Sequence, residues 1–292
     1  MLVRDALLAA RRRLAVAGVA SAAHDAEALL AHLLGVPRTK LPWAGALTGT
    51  QAEAFEHLVR RRARREPLQH LTGRASFRHV EVEVGAGVFV PRPETELLAG
   101  WAVDVLCSLD RPVAVDLCTG SGAIALSLAT EVPGCRVHAV ELSEDAHAYA
   151  QRNLAGSGVD LRLGDVTDAL TELDGEVDVV VANPPYIPLT AYDVVALEAR
   201  DHDPPEALWS GPDGLEMVRV VAGVAARLLR PGGWLGCEHA DVQGASAPAA
   251  VAAGGHWTDV QDHHDLTGRP RFLTARRVAG GTMVPRGQAV RQ

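Results

Sequence analysis

From residue 112 to residue 240 the sequence alternates short apolar runs, which are typical of buried strands, with longer stretches of helical spacing. The predicted strands lie at 112–120, 136–143, 159–166, 177–186 and 234–240, and the predicted helices at 121–132, 144–158 and 214–229. Strands and helices that alternate at this spacing form βαβ units with parallel strands. We therefore expect an α/β fold built on a parallel sheet, followed by two strands joined by a turn within 257–278.

The first 70 residues have a different pattern, with leucine and alanine at helical intervals in 5–19 and 24–36. A third helix is predicted to begin at Thr50, because Glu53 completes a capping box with it. Pro67 is expected to end this helix. The amino-terminal part is therefore predicted to be helical.

The next segment, 74–90, alternates apolar and polar residues and predicts a β-hairpin with Gly85 and Gly87 in its turn. The last residues have no periodicity, which is typical of a disordered tail. The patterns together predict four units: a helical domain at 1–73, a hairpin linker at 74–92, an α/β domain at 93–278 and a disordered tail at 279–292.

The net charge of −8 argues against tight, sequence-independent binding of nucleic acid, which depends on neutralising phosphates. The densest basic segment is Arg60–Arg65. We interpret it as a solvated helix face, with a docking patch for an acidic or RNA-bearing partner as the alternative.

None of the four cysteines forms a CxxC pair, so we expect neither a disulfide framework nor a metal site, but reduced thiols as in the cytoplasm. The sequence has no apolar run near the roughly 18 residues of a membrane span. No pattern of a signal peptide is present at the amino terminus. We expect a cytoplasmic protein that does not enter membranes.

A glycine loop follows the first strand of the α/β part and ends in Gly120-Ser121-Gly122. Its glycines allow a sharp turn and the close approach of a ligand, and the following helix offers unpaired N–H groups. Glu141 ends the next strand, where an acid can bind a ribose diol. By itself this pattern fits NAD, FAD or S-adenosylmethionine.

Two residues favour S-adenosylmethionine. Asp116 at the mouth of the loop would repel a pyrophosphate but can accept a hydrogen bond from an ammonium group. Ala125 stands where the dinucleotide fingerprint has its third glycine. Asp165 is placed to accept from the adenine amino group, with Val166 packed on the ring; the alternative is that Asp165 caps a turn.

The strand predicted at 177–186 ends in Asn183-Pro184-Pro185-Tyr186, at the sheet edge where open α/β sheets bind ligands. Pro184 holds Asn183 extended, and the prolines leave their carbonyls as pure acceptors. Two acceptors can hold both hydrogens of an –NH2 group, and Tyr186 can stack on the planar group behind it. The segment is therefore predicted to be a cradle for a planar amine or amide.

Six segments occur along the chain in this order: HLTGRASFRHVEVEVGAGVFVPRPETELLAGWA, DLCTGSGAIALSLA, NPPYIP, PPEALWSGPDGLEMVR, LRPGGWLGCEHADVQG and DLTGRPRF. Through them the chain resembles, over about residues 1–278, the peptide chain release factor N5-glutamine methyltransferase family. NPPY alone occurs in amino-group methyltransferases of several kinds, whereas PRPETE together with NPPYIP is specific.

The resemblance implies a Rossmann-like, seven-stranded methyltransferase sheet, a helical domain that docks the substrate and a hairpin between them. It also implies methyl transfer from S-adenosylmethionine to the glutamine of the GGQ motif in class 1 peptide chain release factors, which supports translation termination. We expect a monomer without direct nucleic-acid specificity.

The roles that the resemblance implies for individual residues fall into three groups. The cofactor contacts are Asp116, Cys118, Thr119, Gly120, Ser121, Gly122, Glu141, Asp165, Val166 and Asn183. The glutamine contacts are Asn183, Pro184, Pro185 and Tyr186, with Phe89 and Arg92 at the entrance. The catalytic residues are Asn183, Pro184 and Tyr186.

Three residues depart from the family pattern. Cys118 stands at a position where glycine is common, so we expect its backbone to avoid positive φ. Glu141 replaces the more usual aspartate, with a longer reach to the same diol. Ala240 stands where glycine is frequent.

Three other functions remain open from the residues. An N6-adenine or other amino-group methyltransferase acting on DNA or rRNA would use the same cradle for a base. A binding module without activity and a nicotinamide dehydrogenase are the others. The chemistry needs no dedicated base, so none of His202, His239, His263 and His264 is assigned to catalysis.

Overall fold

The computed structural model describes residues 1–279. The predicted tail at 279–292 therefore lies, except for its first residue, outside the described residues. The amino-terminal helices are α1 (Val3–Val16), α2 (Ala22–Leu34), α3 (Gly49–Ala63) and α4 (Leu68–Thr72). They enclose an apolar core of their own, in which Leu14, Leu29 and Leu30 are fully buried.

The capping box of α3 forms at Thr48 and not at Thr50 as predicted. Thr48 caps the helix: its Oγ1 accepts from the Gln51 N–H at 3.2 Å, and Gln51 Oε1 accepts from the Thr48 N–H at 3.0 Å. The sequence contains two overlapping patterns of the same spacing, and the helix begins at the earlier one. The helix also ends before Pro67, because Arg65 takes a left-handed backbone with φ 70°.

The basic segment Arg60–Arg65 is not a uniformly solvated face. Arg62 is 7% exposed and its Nε donates to Asp25 Oδ2 at 2.7 Å. Arg62 and Arg65 also pair with Glu198, at 3.3 and 2.6 Å. The basic segment therefore connects the amino-terminal helices, through ion pairs, to Glu198, which lies 136 residues beyond Arg62 and 133 residues beyond Arg65 in the sequence.

The hairpin consists of β1 (Arg74–Phe77) and β2 (Val80–Glu83), which pair antiparallel. Its turn is at Arg78, with φ 50°, and not at Gly85 and Gly87 as predicted. Those glycines follow β2. A Cβ at Gly85 would lie 2.3 Å from the Tyr149 hydroxyl, so glycine lets the chain pass close to the next domain.

One seven-stranded sheet forms the rest of the fold, in the order β5-β4-β3-β6-β7-β9-β8. Its strands are β3 (Val113–Leu117), β4 (Arg136–Glu141), β5 (Asp160–Leu163), β6 (Val177–Ala182), β7 (Leu229–Glu238), β8 (Trp257–His264) and β9 (Pro270–Arg277). Strands β3 to β7 run parallel, and β9 is antiparallel to β7 and to β8. The strand order reverses beside β3, since β4 and β6 lie on its two sides.

Helices cover both faces of this sheet: α5 (Thr95–Cys107), α6 (Ala123–Glu131), α7 (Glu144–Asn153), α9 (Glu216–Leu228) and α10 (Ser246–Ala252). The short helix α8 (Leu197–His202), none of whose residues is buried, lies between β6 and α9 in the chain. Alternate residues of the central strands enter two apolar cores, so that Val180 packs in one and Val179 and Val181 in the other. The predicted α/β fold with a helical amino-terminal part is confirmed.

No helix of residues 1–279 has the length and apolar character that crossing a membrane requires. Within the same residues, no cluster of three or more histidine, cysteine, aspartate or glutamate side chains is arranged to hold a metal ion.

Candidate active site

A cavity of about 850 Å³ opens at the carboxyl ends of β3, β4 and β6, beside the reversal of strand order. This is where open α/β sheets bind their ligands. All predicted site residues line the cavity except Asp116, Gly122 and Pro184. The glycine loop and the Asn183–Tyr186 segment thus face one space, as their positions at strand ends predict.

The loop between β3 and α6 has three residues in the left-handed region: Cys118 (φ 58°), Gly120 (φ 58°) and Gly122 (φ 82°). The expectation that Cys118 avoids positive φ is therefore wrong. Cys118 joins the end of β3 to a tight turn in which the Gly122 N–H donates to the Thr119 carbonyl at 2.9 Å. The Thr119 N–H donates to the Val140 carbonyl of β4 at 3.0 Å, and the chain therefore changes direction at Cys118. The strain at a residue with a Cβ is of order 1–2 kcal/mol.

Gly122 ends the loop and caps α6 without facing the cavity. The φ of 82° favours glycine here, and a Cβ at this position would also lie only 3.1 Å from Leu154 Cγ at the end of α7. Pro184 is likewise buried and behind the cavity wall, because it continues directly from the buried end of β6.

Asp116 lies beneath the loop and is not at its mouth. Its Oδ2 accepts from the Thr119 hydroxyl at 2.5 Å and from the Ala125 N–H at 3.1 Å. Within the described residues Oδ1 has no hydrogen-bond partner. Burial raises the pKa of Asp116 to about 7, which the two donors only partly offset.

This raised pKa gives a pH-dependent stability. An aspartate in the unfolded chain has a pKa near ~4. Between that value and about 7 the folded chain holds a proton that the unfolded chain releases, so stability falls as the pH rises through the folded pKa. In thermal unfolding, we expect the wild-type Tm to fall relative to that of Asp116→Asn between about pH 4 and about pH 7, and the difference to stay constant above that range.

The control for this experiment is Glu176→Gln, which removes a charge from an exposed carboxyl at the start of β6. Its Tm should follow the wild type at each pH. Parallel curves for wild type and Asp116→Asn would show that Asp116 is already ionised in the fold.

Glu141 ends β4 and joins the loop to the cavity wall. Its Oε2 accepts from the Gly120 N–H and its Oε1 from the Ser143 N–H, both at 2.8 Å. A carboxylate has about four acceptor sites, so each oxygen retains capacity for a ligand hydroxyl. Glu141 thus fixes the loop and presents acceptors to the same ligand.

Asp165 and Val166 line the cavity just after β5. Asp165 Oδ1 accepts from the Thr167 N–H and hydroxyl at 2.9 and 2.8 Å, and these bonds lower the pKa of Asp165. The turn-capping interpretation is therefore correct for this oxygen. The residue both caps the turn and borders the cavity.

The Asn183 amide is held by Thr95, which lines the same cavity. Its Nδ2 donates to Thr95 Oγ1 at 3.3 Å, which leaves Oδ1 as the acceptor for a ligand. Tyr186 donates its phenol to Glu238 Oε1 at 3.0 Å, so its ring is fixed as part of the cavity wall. These bonds give the segment one orientation before any ligand binds.

Sequence reasoning missed Thr95, Glu238 and Gln243. Gln243 Nε2 donates to the Tyr186 and Asp213 carbonyls at 3.0 and 3.1 Å, and so fixes the backbone of the cradle. All three lie in segments that carry the family resemblance. In the sequence, Glu238 is recognisable as a polar residue near the end of a predicted strand, and Thr95 as a polar residue just after a proline turn.

Gly214 makes this arrangement possible, because its φ is 72° and a Cβ would lie 2.3 Å from the Tyr186 carbonyl oxygen. We expect Gly214→Ala to lower both the Tm and kcat, since left-handed strain of roughly 1–2 kcal/mol adds to a clash with the backbone. Gly255→Ala is the matched control: Gly255 has φ 70° but open space around its Cα. Equal losses in the two variants would rule out the clash.

The entrance residues Phe89 and Arg92 contact each other, with the Arg92 guanidinium 4.8 Å from the centre of the Phe89 ring. Arg92 Nη2 also donates to Asp203 Oδ2 at 2.5 Å. Burial raises the pKa of Asp203 to about 6, although Arg92 acts in the opposite direction. The pair anchors one side of the cavity mouth to the chain that follows α8.

The four histidines left unassigned do not line the cavity. His239 is buried, with Nε2 2.9 Å from Asp262 Oδ1, and His263 stacks on Phe272 with ring centres 4.6 Å apart. Their contacts are those of structural residues.

Comparison with known proteins agrees with this geometry. Residues 5–73 match the PrmC N-terminal domain, and residues 114–201 match a methyltransferase domain. The release factor glutamine methyltransferase of Streptomyces coelicolor is 56% identical over 271 residues, covering 92% of this chain and 95% of the relative. The chain belongs to the release factor glutamine methyltransferase family.

A second relative in this family, from Mycolicibacterium smegmatis, is 51% identical over 279 residues and covers 95% of this chain and 98% of its own. The catalytic domain of hMettl16, solved with the MAT2A 3'UTR hairpin 6, matches 68% of this chain and 76% of its own with a TM-score of 0.52 at 16% identity. That likeness concerns the fold alone. The predicted Rossmann-like methyltransferase sheet is confirmed.

Proposed function

We propose that this chain transfers the methyl group of S-adenosylmethionine to the side-chain amide nitrogen, N5, of the glutamine in the GGQ motif of class 1 peptide chain release factors. The observation that carries the proposal is the Asn183 amide, which Thr95 holds with its oxygen available, in the cavity that also contains the glycine loop. Membership of the family gives the acceptor.

The residues of the cavity fit S-adenosylmethionine. Its volume is within the range of small-molecule sites. No atom lies within 4 Å of the position that a Cβ would take at Gly120, so the loop backbone can approach a ligand closely. Glu141 would hold the ribose, and Asp165 and Val166 the adenine. Asp116 Oδ1 is a buried acceptor beneath the loop, able to orient loop groups that contact the methionine part.

The cofactor supplies a methyl carbon activated by its sulfonium. The chain has to orient a poor nucleophile, since the amide lone pair is delocalised into the carbonyl. Asn183 Oδ1 accepts one amide hydrogen, which favours charge on the nitrogen, and the Tyr186 ring stacks on the amide plane. The Pro184 carbonyl, proposed as the second acceptor, belongs to a buried residue next to Asn183 that does not itself line the cavity. Orientation can lower a barrier by roughly 7–11 kcal/mol.

The proton lost after transfer does not require a dedicated base. An N-methylated amide cation is strongly acidic and releases its proton to water or to the acceptors of the cradle. The positions of the four histidines outside the cavity support this assignment.

The helical domain at 1–73 is proposed to dock the release factor, with 74–92 as the linker and 93–278 as the catalytic domain. The chain is proposed to act as a monomer in the cytoplasm, where release factors work. The net charge of −8 supports a protein acceptor over the rival acceptor, an amino group of DNA or rRNA.

A methylation assay tests the proposal. Purified chain, labelled S-adenosylmethionine and a class 1 release factor should give label on the factor, and mass mapping should place one methyl group on the GGQ glutamine. A release factor with that glutamine replaced by alanine is the control. Label on DNA or rRNA, or on another residue of the factor, would overturn the proposal.

A further inference from the structure

A buried acid behind the cavity has no part in the chemistry described so far. Glu238 ends β7, is 1% exposed and does not line the cavity. Its Oε1 accepts the phenolic hydrogen of Tyr186 at 3.0 Å. Removing a carboxylate from water is costly, so its place against the cradle needs a compensating role.

A second contact leads from Glu238 to the other arm of the cradle. Thr95 Oγ1 accepts from the Asn183 amide, so the hydroxyl proton of Thr95 is free to point elsewhere. Glu238 Oε2 is buried and has no hydrogen-bond partner within the described residues, so it is an acceptor available to the Thr95 hydroxyl, which is close enough to lower the pKa of Glu238. The Glu238 carboxyl thus bonds to Tyr186 and lies beside Thr95, which bonds to Asn183.

We propose that Glu238 is a positioning residue of the methyltransferase: it sets the direction of the hydrogen bonds that orient the Asn183 amide, through Thr95, and the Tyr186 phenol, directly. This inference rests on the proposed function, because the orientation matters only if Asn183 Oδ1 receives the substrate amide.

The charge of Glu238 decides which group donates in the hydrogen bonds that run through Thr95 to Asn183. An ionised carboxylate only accepts, so Thr95 must donate to it and can only accept from Asn183, which turns Oδ1 toward the substrate. A protonated carboxyl can donate to Thr95. Thr95 can then donate to Asn183, and the amide can turn its NH2 group toward the substrate in place of its oxygen. The ionised form is therefore the competent one.

The groups that face Glu238 are Tyr186, Cys237 on the same strand, Arg271 on β9 and Glu94 before α5. Burial raises the pKa of Glu238 to about 7, which Thr95, Tyr186 and Arg271 offset in part and Glu94 increases. The phenol of Tyr186 and the thiol of Cys237 both have raised pKa values and stay neutral. Glu238 is thus the member of this group that changes charge near neutral pH.

The test compares the wild type with Glu238→Gln, which keeps the volume but adds a fixed donor. At saturating cofactor and about pH 8, we expect kcat for a release factor to fall roughly ten-fold, the effect of losing one charge-assisted bond. The Kd for S-adenosylmethionine should stay within about two-fold, because Glu238 is outside the cavity.

The pH dependence of kcat distinguishes a positioning role of Glu238 from a purely structural role. Wild-type kcat should rise between about pH 6 and 8, while Glu238→Gln should stay low throughout that range. Asp116 and Asp203 titrate in the same range in both proteins, so the difference between the profiles belongs to Glu238. A merely structural role would lower the Tm and the active fraction but leave the two profiles parallel.

Two results overturn the inference. Wild-type kcat and an unchanged pH profile in Glu238→Gln would show that Glu238 does not orient the cradle, although the proposed function would stand. No transfer to the release factor by the wild type would overturn the proposed function and, with it, this inference. Thr95→Val gives an independent check, since it cuts the same connection and should also lower kcat without weakening cofactor binding.

Discussion

Asn183→Ala is expected to lower kcat for glutamine methylation by roughly 10²–10³-fold, the usual loss when one aimed polar group is removed from a reacting centre. The side-chain oxygen of Asn183 is one of two acceptors for the amide hydrogens, and Thr95 holds it in place without a ligand. Alanine at this position removes the acceptor that would orient the substrate nitrogen. Rates measured with labelled S-adenosylmethionine and a release factor at saturation check the result.

The affinity for S-adenosylmethionine, measured by calorimetry, should change little in Asn183→Ala, because the loop and Glu141 are untouched. Gln261→Ala is the matched control, since it also removes an amide but from an exposed position on edge strand β8. The control should methylate at the wild-type rate. An Asn183→Ala variant with wild-type kcat would rule out the cradle as the source of catalysis.

Glu141→Ala is expected to weaken S-adenosylmethionine binding by at least about 100-fold, since a hydrogen bond to a charged group contributes roughly 1.5–3 kcal/mol and a ribose diol can make two. The variant also leaves the N–H groups of Gly120 and Ser143 without their present partner. Calorimetric titration with the cofactor measures the loss. At saturating cofactor, kcat should recover most of its wild-type value.

Two further variants define the role of Glu141. Glu141→Asp keeps the charge but is one methylene shorter, so it should lose less affinity than alanine. Glu176→Ala removes an exposed carboxylate from the opposite end of β6 and should bind the cofactor like the wild type. Unchanged affinity in Glu141→Ala would contradict the assignment of the ribose to this residue.

Local sequence patterns predicted the parts of the fold that depend on neighbouring residues. The strands at Val113–Leu117 and Val177–Ala182 are short apolar runs whose burial on both faces follows from their composition. The meeting of the glycine loop and Asn183 also follows from local rules, because the carboxyl ends of adjacent parallel strands share one edge.

Those local patterns do not predict contacts between residues that are distant in the sequence. The bond from Asn183 to Thr95 spans 88 residues and that from Tyr186 to Glu238 spans 52. The local sequence places Glu238 near the end of a predicted strand, but it does not indicate that Tyr186 is its partner. The left-handed backbone of Cys118 was missed for a related reason, since propensity disfavours it and only the surrounding turn imposes it.

The ion pairs of Glu198 bear on how freely the parts of such an enzyme can be exchanged. Both of its arginine partners, Arg62 and Arg65, come from the helical domain, while the next residue of its own helix, Ala199, forms part of the cavity wall. A catalytic fragment made by cutting off the first 73 residues would leave a carboxylate without its counter-charges beside the reaction space. The helical domain is thus not freely exchangeable, and a chimera with another such domain must supply the same two arginines.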